Sequence, residues 1–290
     1  MKVSGFTFIR NAIKFDYPVV EAITSILPLC DEFIVAVGNS EDGTRQLIEQ
    51  IDSTKIRIID TVWDESLREG GHVLAVETDK AFDAISNDTD WAFYIQGDEV
   101  IHEQYLQEIR KSMELWKDNP EVEGLVFNYL HFYGSYDFIG DSRRWYRREV
   151  RIVRNNKSIH SYRDAQGFRL NGRKLKVKCI DACVYHYGWV RPPEKQQFKL
   201  HHFSRLWDNK EADYNNKELI KEPFDYTQTD SVAWFKGTHP QVLQERIKRI
   251  NWEFDVDPTQ KKFSLKFRFL HWIEDKTGWR IGEYRNYTII

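Results

Sequence analysis

The chain has 290 residues, with 42 Lys plus Arg against 45 Asp plus Glu, 41% apolar residues and 14% aromatic residues, the composition of an ordinary folded protein rather than a disordered one. At about 150 residues per domain, this length allows one large domain with an extension or two small ones. A net charge of −3 excludes a general nucleic-acid footprint, which needs a strongly basic surface, and leaves only local basic patches to meet phosphate.

Cys30, Cys179 and Cys183 are too few, and odd in number, for a disulfide framework, so a reducing, cytoplasmic setting is expected. The opening MKVSGFTFIRNAIKF is interrupted by Arg10 and Lys14 and lacks the apolar stretch of a signal peptide. No later run approaches the roughly 18 apolar residues of a spanning helix.

In chain order, Val3 to Ile9 reads as a strand and Pro18 to Leu29 as a helix, with apolar residues at helical spacing. Phe33 to Val37 is a second strand, broken by the turn Gly38 to Gly43, and Thr44 to Ile51 is helical again. Ile56 to Ile59 is a third strand, His72 to Ile85 a helix, and Trp91 to Ile95 a fourth strand that runs into Gln96-Gly97-Asp98-Glu99. A helix follows near Glu103 to Trp116. β-Rich stretches come next, at Gly124 to Tyr133, Glu149 to Arg154 and Leu175 to Tyr187, and from Pro192 the chain is charged, aromatic and mostly helical in pattern.

Short strands alternating with helices imply a parallel sheet covered on both faces, with ligands beyond the carboxyl ends of its strands. That rule singles out Arg10, the Gly38 to Gly43 turn and Gln96 to Glu99. Adjacent carboxylates ending a buried strand suit a hard divalent cation, Mn²⁺ or Mg²⁺, which takes oxygen ligands and completes its shell with water and phosphate. The plain alternative is that Asp98 or Glu99 caps the following helix.

With these features in place, the sequence resembles the inverting, family-two glycosyltransferases of the GT-A fold. The resemblance covers roughly residues 2 to 190. It rests on Asn11 closing the first strand, on Glu41-Asp42-Gly43-Thr44 after the second, and on Gln96-Gly97-Asp98-Glu99 in the place of the family's Asp-x-Asp motif. It implies a GT-A-like α/β fold, a mixed sheet flanked by helices. Residues 1–190 would form the catalytic domain, 1–100 for the donor and 101–190 for the acceptor, and 191–290 a mostly helical, aromatic-rich extension.

It also implies a nucleotide-sugar donor held by Arg10, Asn11, Asp42, Gln96 and Asp98, and a glycan or glycolipid acceptor from bacterial surface polysaccharide or lipopolysaccharide assembly. Gln96 replaces the first motif acid, leaving Asp98 as the direct metal ligand. His186, in Val184-Tyr185-His186-Tyr187-Gly188-Trp189, is the expected second ligand by analogy with late-strand histidines in GT-A relatives; its plain alternative is a hydrogen-bonded core residue. Zinc on Cys179, Cys183 and His186 is a rival set. In some lipopolysaccharide-type relatives a His-Glu pair supplies the base. Here Ser161 follows His160, and Asp164 is the expected base, against a surface pairing with Arg163.

The run Arg143 to Arg148, with Arg151 and Arg154, suits either phosphate contact or a solvated edge strand. Lys261 to Leu270, basic and aromatic, suits docking on the core or peripheral contact with the inner face of a membrane. Other functions compatible with the pattern are a sugar nucleotidyltransferase and a non-catalytic carbohydrate- or nucleotide-binding protein on a degenerate transferase fold.

Overall fold

The structure, a computed structural model, describes residues 1–67, 69–204 and 222–290. The apolar runs of the first hundred residues form β1 (Val3–Ile9), β2 (Glu32–Val37), β3 (Ile56–Asp60) and β4 (Trp91–Tyr94). They pair in parallel in the order β4-β1-β2-β3, with Ile9 beside Val37 and Val37 beside Asp60, so their carboxyl ends align along one edge. Helices α1 (Val19–Ile26), α2 (Thr44–Glu49) and α3 (His72–Asp83) connect them. Both faces are covered, as a parallel sheet requires. Phe33 and Trp91 pack with Ile23 of α1 and with Ile109 on one side, and Phe6 and Tyr94 pack with Phe82 of α3 on the other.

Beyond β4 the chain adds β5 (Glu99–Ile101), α4 (Leu106–Trp116), β6 (Gly124–Tyr133), β7 (Phe138–Gly140) and β8 (Arg148–Arg154). Strand β8 lies antiparallel between β4 and β6, which makes the sheet mixed. A separate three-stranded sheet follows, from β9 (Ile159–Tyr162), β10 (Gly167–Leu170) and β11 (Arg173–Lys174). The long β12 (Lys176–Trp189) returns parallel to β6 and antiparallel to β5. The last third holds α5 (Pro193–Ser204), β13 (Val232–Trp234), α6 (Gln244–Ile247), α7 (Leu265–Thr277) and β14 (Thr288–Ile289). It is tied to the sheet through β13 on β7 and β14 on β12.

Two local expectations fail. Strand β8 is interior, not a solvated edge: Arg151 is buried, and Arg154 lies over Trp91 at 3.9 Å while donating to the carbonyls of Trp116, Lys117, Asn119 and Val122. Nor do Asp98 and Glu99 cap a helix. Glu99 begins β5, and the cap is His102, whose Nδ1 accepts from the backbone N–H of Gln104.

Glu99 and Arg151 form a bidentate pair, with Nε and Nη2 each 2.8 Å from a carboxylate oxygen and side chains 0% and 1% exposed. Tyr129 Oη and the Gln96 N–H also donate to that carboxylate. Arg151→Met, which strands the Glu99 charge, is expected to cost about 3–5 kcal/mol, read as a lower urea midpoint. A Glu99→Gln/Arg151→Met double variant should recover part of it; an equal loss in both would show that packing, not charge pairing, governs the site.

Candidate functional site

At the carboxyl ends of β1 and β4 lies a cavity of about 230 Å³ whose walls include Arg10, Gln96, Asp98 and Asp164. Four of the residues expected from sequence therefore meet in one place, although Asp164 comes from the separate hairpin sheet. Asn11 and Asp42 are not in that wall. Asn11 accepts from the Glu41 N–H and Asp42 from those of Lys14 and Thr44, so both brace the turns after β1 and β2.

The divergence of Asp98 and Glu99 follows from the turn between β4 and β5, closed by the Glu99 N–H on the Gln96 carbonyl at 3.1 Å. Asp98 lies in that turn and Glu99 opens β5, so their side chains leave the chain in different directions. Glu99 therefore goes to Arg151, and Asp98 to the cavity. There Asp98 Oδ2 accepts from Lys199 Nζ of α5 at 3.2 Å, and Oδ1 lies 3.8 Å from His186 Nε2 of β12. Burial alone would raise the Asp98 pKa, but Lys199, His186 and Arg191 outweigh it and hold the carboxyl down at about 2. Burial, with Arg191 behind it, lowers Lys199 to about 8.

The protons of the neighbouring histidines can be assigned from their partners. A carbonyl only accepts, so His131 Nε2 carries the hydrogen donated to the Tyr146 carbonyl at 2.8 Å. Burial holds the His131 pKa well below its usual value, the ring is neutral, and its Nδ1 is bare. His186 Nδ1, 3.0 Å away, is then the donor to it. Burial lowers the His186 pKa as well, against the pull of Asp98 and Glu99, and its Nε2 faces the Asp98 carboxylate.

A proton or a metal cation between that nitrogen and the carboxylate satisfies both. Gly188 lets its strand pass close to both: a Cβ added there would lie 2.6 Å from His186 Nε2 and 2.8 Å from Asp98 Oδ2. One carboxylate and one imidazole facing each other fit Mn²⁺ or Mg²⁺ in donor chemistry, with the remaining positions left to water or phosphate. Among the described residues no group of three His, Cys, Asp or Glu forms a metal set. The zinc alternative is not assembled: Cys179 is exposed, Cys183 is buried, and the β12 register shifts between them.

Asp164 sits at the tip of the β9–β10 hairpin between two non-glycine residues with left-handed backbone, Arg163 (φ 57°) and Ala165 (φ 61°). Each such residue stores strain of order 1–3 kcal/mol. Gln96 Nε2 donates to the Ala165 carbonyl and to Tyr94 Oη, both at 3.3 Å, and so ties the hairpin tip to the end of β4. Burial raises the Asp164 pKa, against the pull of Arg163 and Arg151.

At the Arg10 end, Trp63 stands 5.8 Å from the Phe8 ring and 5.4 Å from the Arg10 guanidinium. Gly38 lets it approach, because an added Cβ would collide with the indole nitrogen. The buried Arg10 Nε and Trp63 Nε1 have no hydrogen-bond partner among the described residues. Sequence reading misses Lys199, Trp63 and Gly188. Only Gly188 carries a local signal: two residues after His186 on a strand, it shares its face. Lys199 reaches the site through packing of α5, where Phe198 stacks on Phe15 at 5.6 Å.

No protein-family profile and no curated protein matches the chain. Among solved structures, S. aureus TarS (residues 1–349) is similar over 76% of this chain and 69% of its own, at 13% identity and a TM-score of 0.40. Glucosyl-3-phosphoglycerate synthase from Mycobacterium tuberculosis, solved with Mn²⁺, uridine diphosphate and glucosyl-3-phosphoglycerate, is similar over 46% and 45%, at 16% identity and a TM-score of 0.31. The 4-diphosphocytidyl-2C-methyl-D-erythritol synthase from Anaerococcus prevotii is similar over 66% and 89%, at 10% identity and a TM-score of 0.39.

Proposed function

We propose that the chain is an inverting, divalent-metal-assisted glycosyltransferase of the GT-A type, moving a sugar from a nucleotide-sugar to a hydroxyl of a glycan or glycolipid acceptor. Bacterial surface polysaccharide or lipopolysaccharide assembly, in a cytoplasmic setting with peripheral membrane contact, belongs to the same reading. One observation carries it: the Asp98 carboxylate, in the cavity wall, faces the His186 imidazole nitrogen at 3.8 Å, and a second carboxylate of raised pKa stands in the same wall.

Asp98 and His186 would hold Mn²⁺ or Mg²⁺. When bound, the cation would neutralise charge growing on the departing diphosphate. Lys199 adds a fixed positive charge beside it, and in a water-poor cavity such a charge acts on the leaving group more strongly than in bulk solvent. The unpartnered N–H groups of Arg10 and Trp63 offer donors, and the Trp63 face a stacking surface, for the nucleoside end. Asp164 faces the acceptor. Its raised pKa strengthens it as a base for the incoming hydroxyl, and the Gln96 amide keeps the hairpin tip that carries it in place.

Calorimetric titration with nucleoside diphosphates, with and without Mn²⁺, tests the reading; heat that never depends on Mn²⁺ would reject it. Asp98→Asn should abolish the metal-dependent heat with the fold intact, and Gly188→Ala should do the same by driving a methyl against His186 Nε2 and Asp98 Oδ2. Unchanged Mn²⁺ affinity in both variants would remove the metal from this place. Lys199→Met takes away the ammonium that competes for Asp98, so Mn²⁺ alone should bind more tightly by electron paramagnetic resonance, while nucleoside diphosphate binds more weakly. Weaker Mn²⁺ binding would make Lys199 a support for the Asp98 side chain instead. Asp164→Asn should keep donor and metal affinity and lose transfer by about 10² to 10⁴-fold; near-normal turnover would sink Asp164 as the base.

A further inference from the structure

Helix α7 is bound to the protein by one face and leaves the other bare. Glu274 faces inward, accepting from Arg143 Nη1 at 2.6 Å and Arg280 Nε at 2.7 Å, with Arg147 Nη1 at 3.4 Å. No residue of the helix is buried. Leu265, Phe269 and Trp272 are 84%, 60% and 57% exposed, and their spacing of four and three residues puts them in one stripe opposite Glu274. Trp279, just past the Gly278 cap, is 62% exposed. Isolated surface apolar residues need no explanation, but a contiguous stripe of this kind does.

Charge identifies what the stripe meets. Residues 261–280 hold six Lys and Arg against two acids, in a chain whose net charge is −3. Lys266 and Arg268 border the stripe, Lys276 ends it, and both Lys266 and Arg268 are exposed. Arg144 and Lys262 line a cleft of about 520 Å³ on the flank of the helix. A second copy packed face to face on the stripe would bring these basic borders together, against Coulomb repulsion. An anionic lipid surface satisfies both features at once, since apolar rings enter the acyl boundary while Lys and Arg reach back to the headgroups. Among the described residues no helix is long and apolar enough to cross a membrane, so this is contact in the plane of the interface.

We infer that the Leu265–Phe269–Trp272 face of α7 docks the protein on an anionic membrane surface. The helix is also joined to the cavity: Arg280 Nη1 donates to the Trp145 carbonyl at 2.7 Å, and the next residue, Tyr146, lines the cavity. Docking therefore sets the position of the acceptor mouth relative to lipid. In that respect the inference rests on the function proposed above and narrows the acceptor to a lipid-linked one.

The test is sedimentation of the full chain with vesicles of phosphatidylcholine alone or mixed with phosphatidylglycerol. Binding is expected only with phosphatidylglycerol and should weaken with salt. The Leu265→Glu/Phe269→Glu/Trp272→Ser variant should lower the bound fraction by about tenfold or more. These side chains are exposed and outside the site, so the variant should keep its melting temperature and its affinity for nucleoside diphosphate. Failure to bind phosphatidylglycerol vesicles, or equal binding by the variant, overturns the inference; so does self-association of the wild type that the variant abolishes, which would assign the face to a second copy. A wild type that fails to bind vesicles but keeps Mn²⁺-dependent nucleotide binding removes the docking face alone. Vesicle binding without any nucleotide affinity removes the transferase reading and leaves the face standing.

Discussion

The buried pair between Glu99 and Arg151 is the constraint on which the site depends. Two charges in the middle of a sheet are tolerable only because every oxygen and the guanidinium are engaged: Arg151 twice, Tyr129 Oη and the Gln96 N–H on the carboxylate, and the rings of Tyr94 and Tyr129 over the guanidinium at 5.3 and 5.4 Å. Such a pair adds little net stability over an apolar substitute, yet it tolerates no half-measures. It fixes the backbone of residues 96–99 from beneath. With Glu99 anchored, Asp98 must face the other way, and the turn that carries it cannot slip by a residue without stranding a charge.

That geometry also explains an unusual residue. Gln96 stands where the resembled family has an acid, and a carboxylate in that place would lie against the Ala165 carbonyl as a second acceptor. The amide can donate, and it does so to both Ala165 and Tyr94. The amide is therefore a brace on the hairpin.

The sequence makes the order of strands and helices in the first hundred residues legible, because hydrophobic period and turn residues are local properties. It also locates Arg10, Gln96 and Asp98, since strand ends leave polar residues where none is needed for packing, and the family resemblance points to Asp164. Other features are invisible for a physical reason. Whether Arg151 is a surface or a core residue depends on strand order, which places β8 between β4 and β6, and an arginine in an apolar strand looks the same in either case. Lys199 is one of many lysines in a charged stretch until α5 is packed. The proton on His186 Nδ1 requires the whole chain of partners through His131 to the Tyr146 carbonyl. Asn11 and Asp42, read at the same edge, brace the turns after β1 and β2 with their side-chain oxygens.

Asp98 and Asp164 belong to different sheets, one of 11 strands and one of three. The smaller sheet is built from a single run of chain, 159–174, whose tip alone enters the cavity. A hairpin of this kind can be lengthened, shortened or re-lettered without disturbing a hydrogen bond of the main ladder. In the proposed reading the base therefore rides on sixteen contiguous residues outside the main ladder, whose Ile159, Phe168 and Leu170 still fill the core beneath it. The amide of Gln96 is the latch that any replacement hairpin would have to meet.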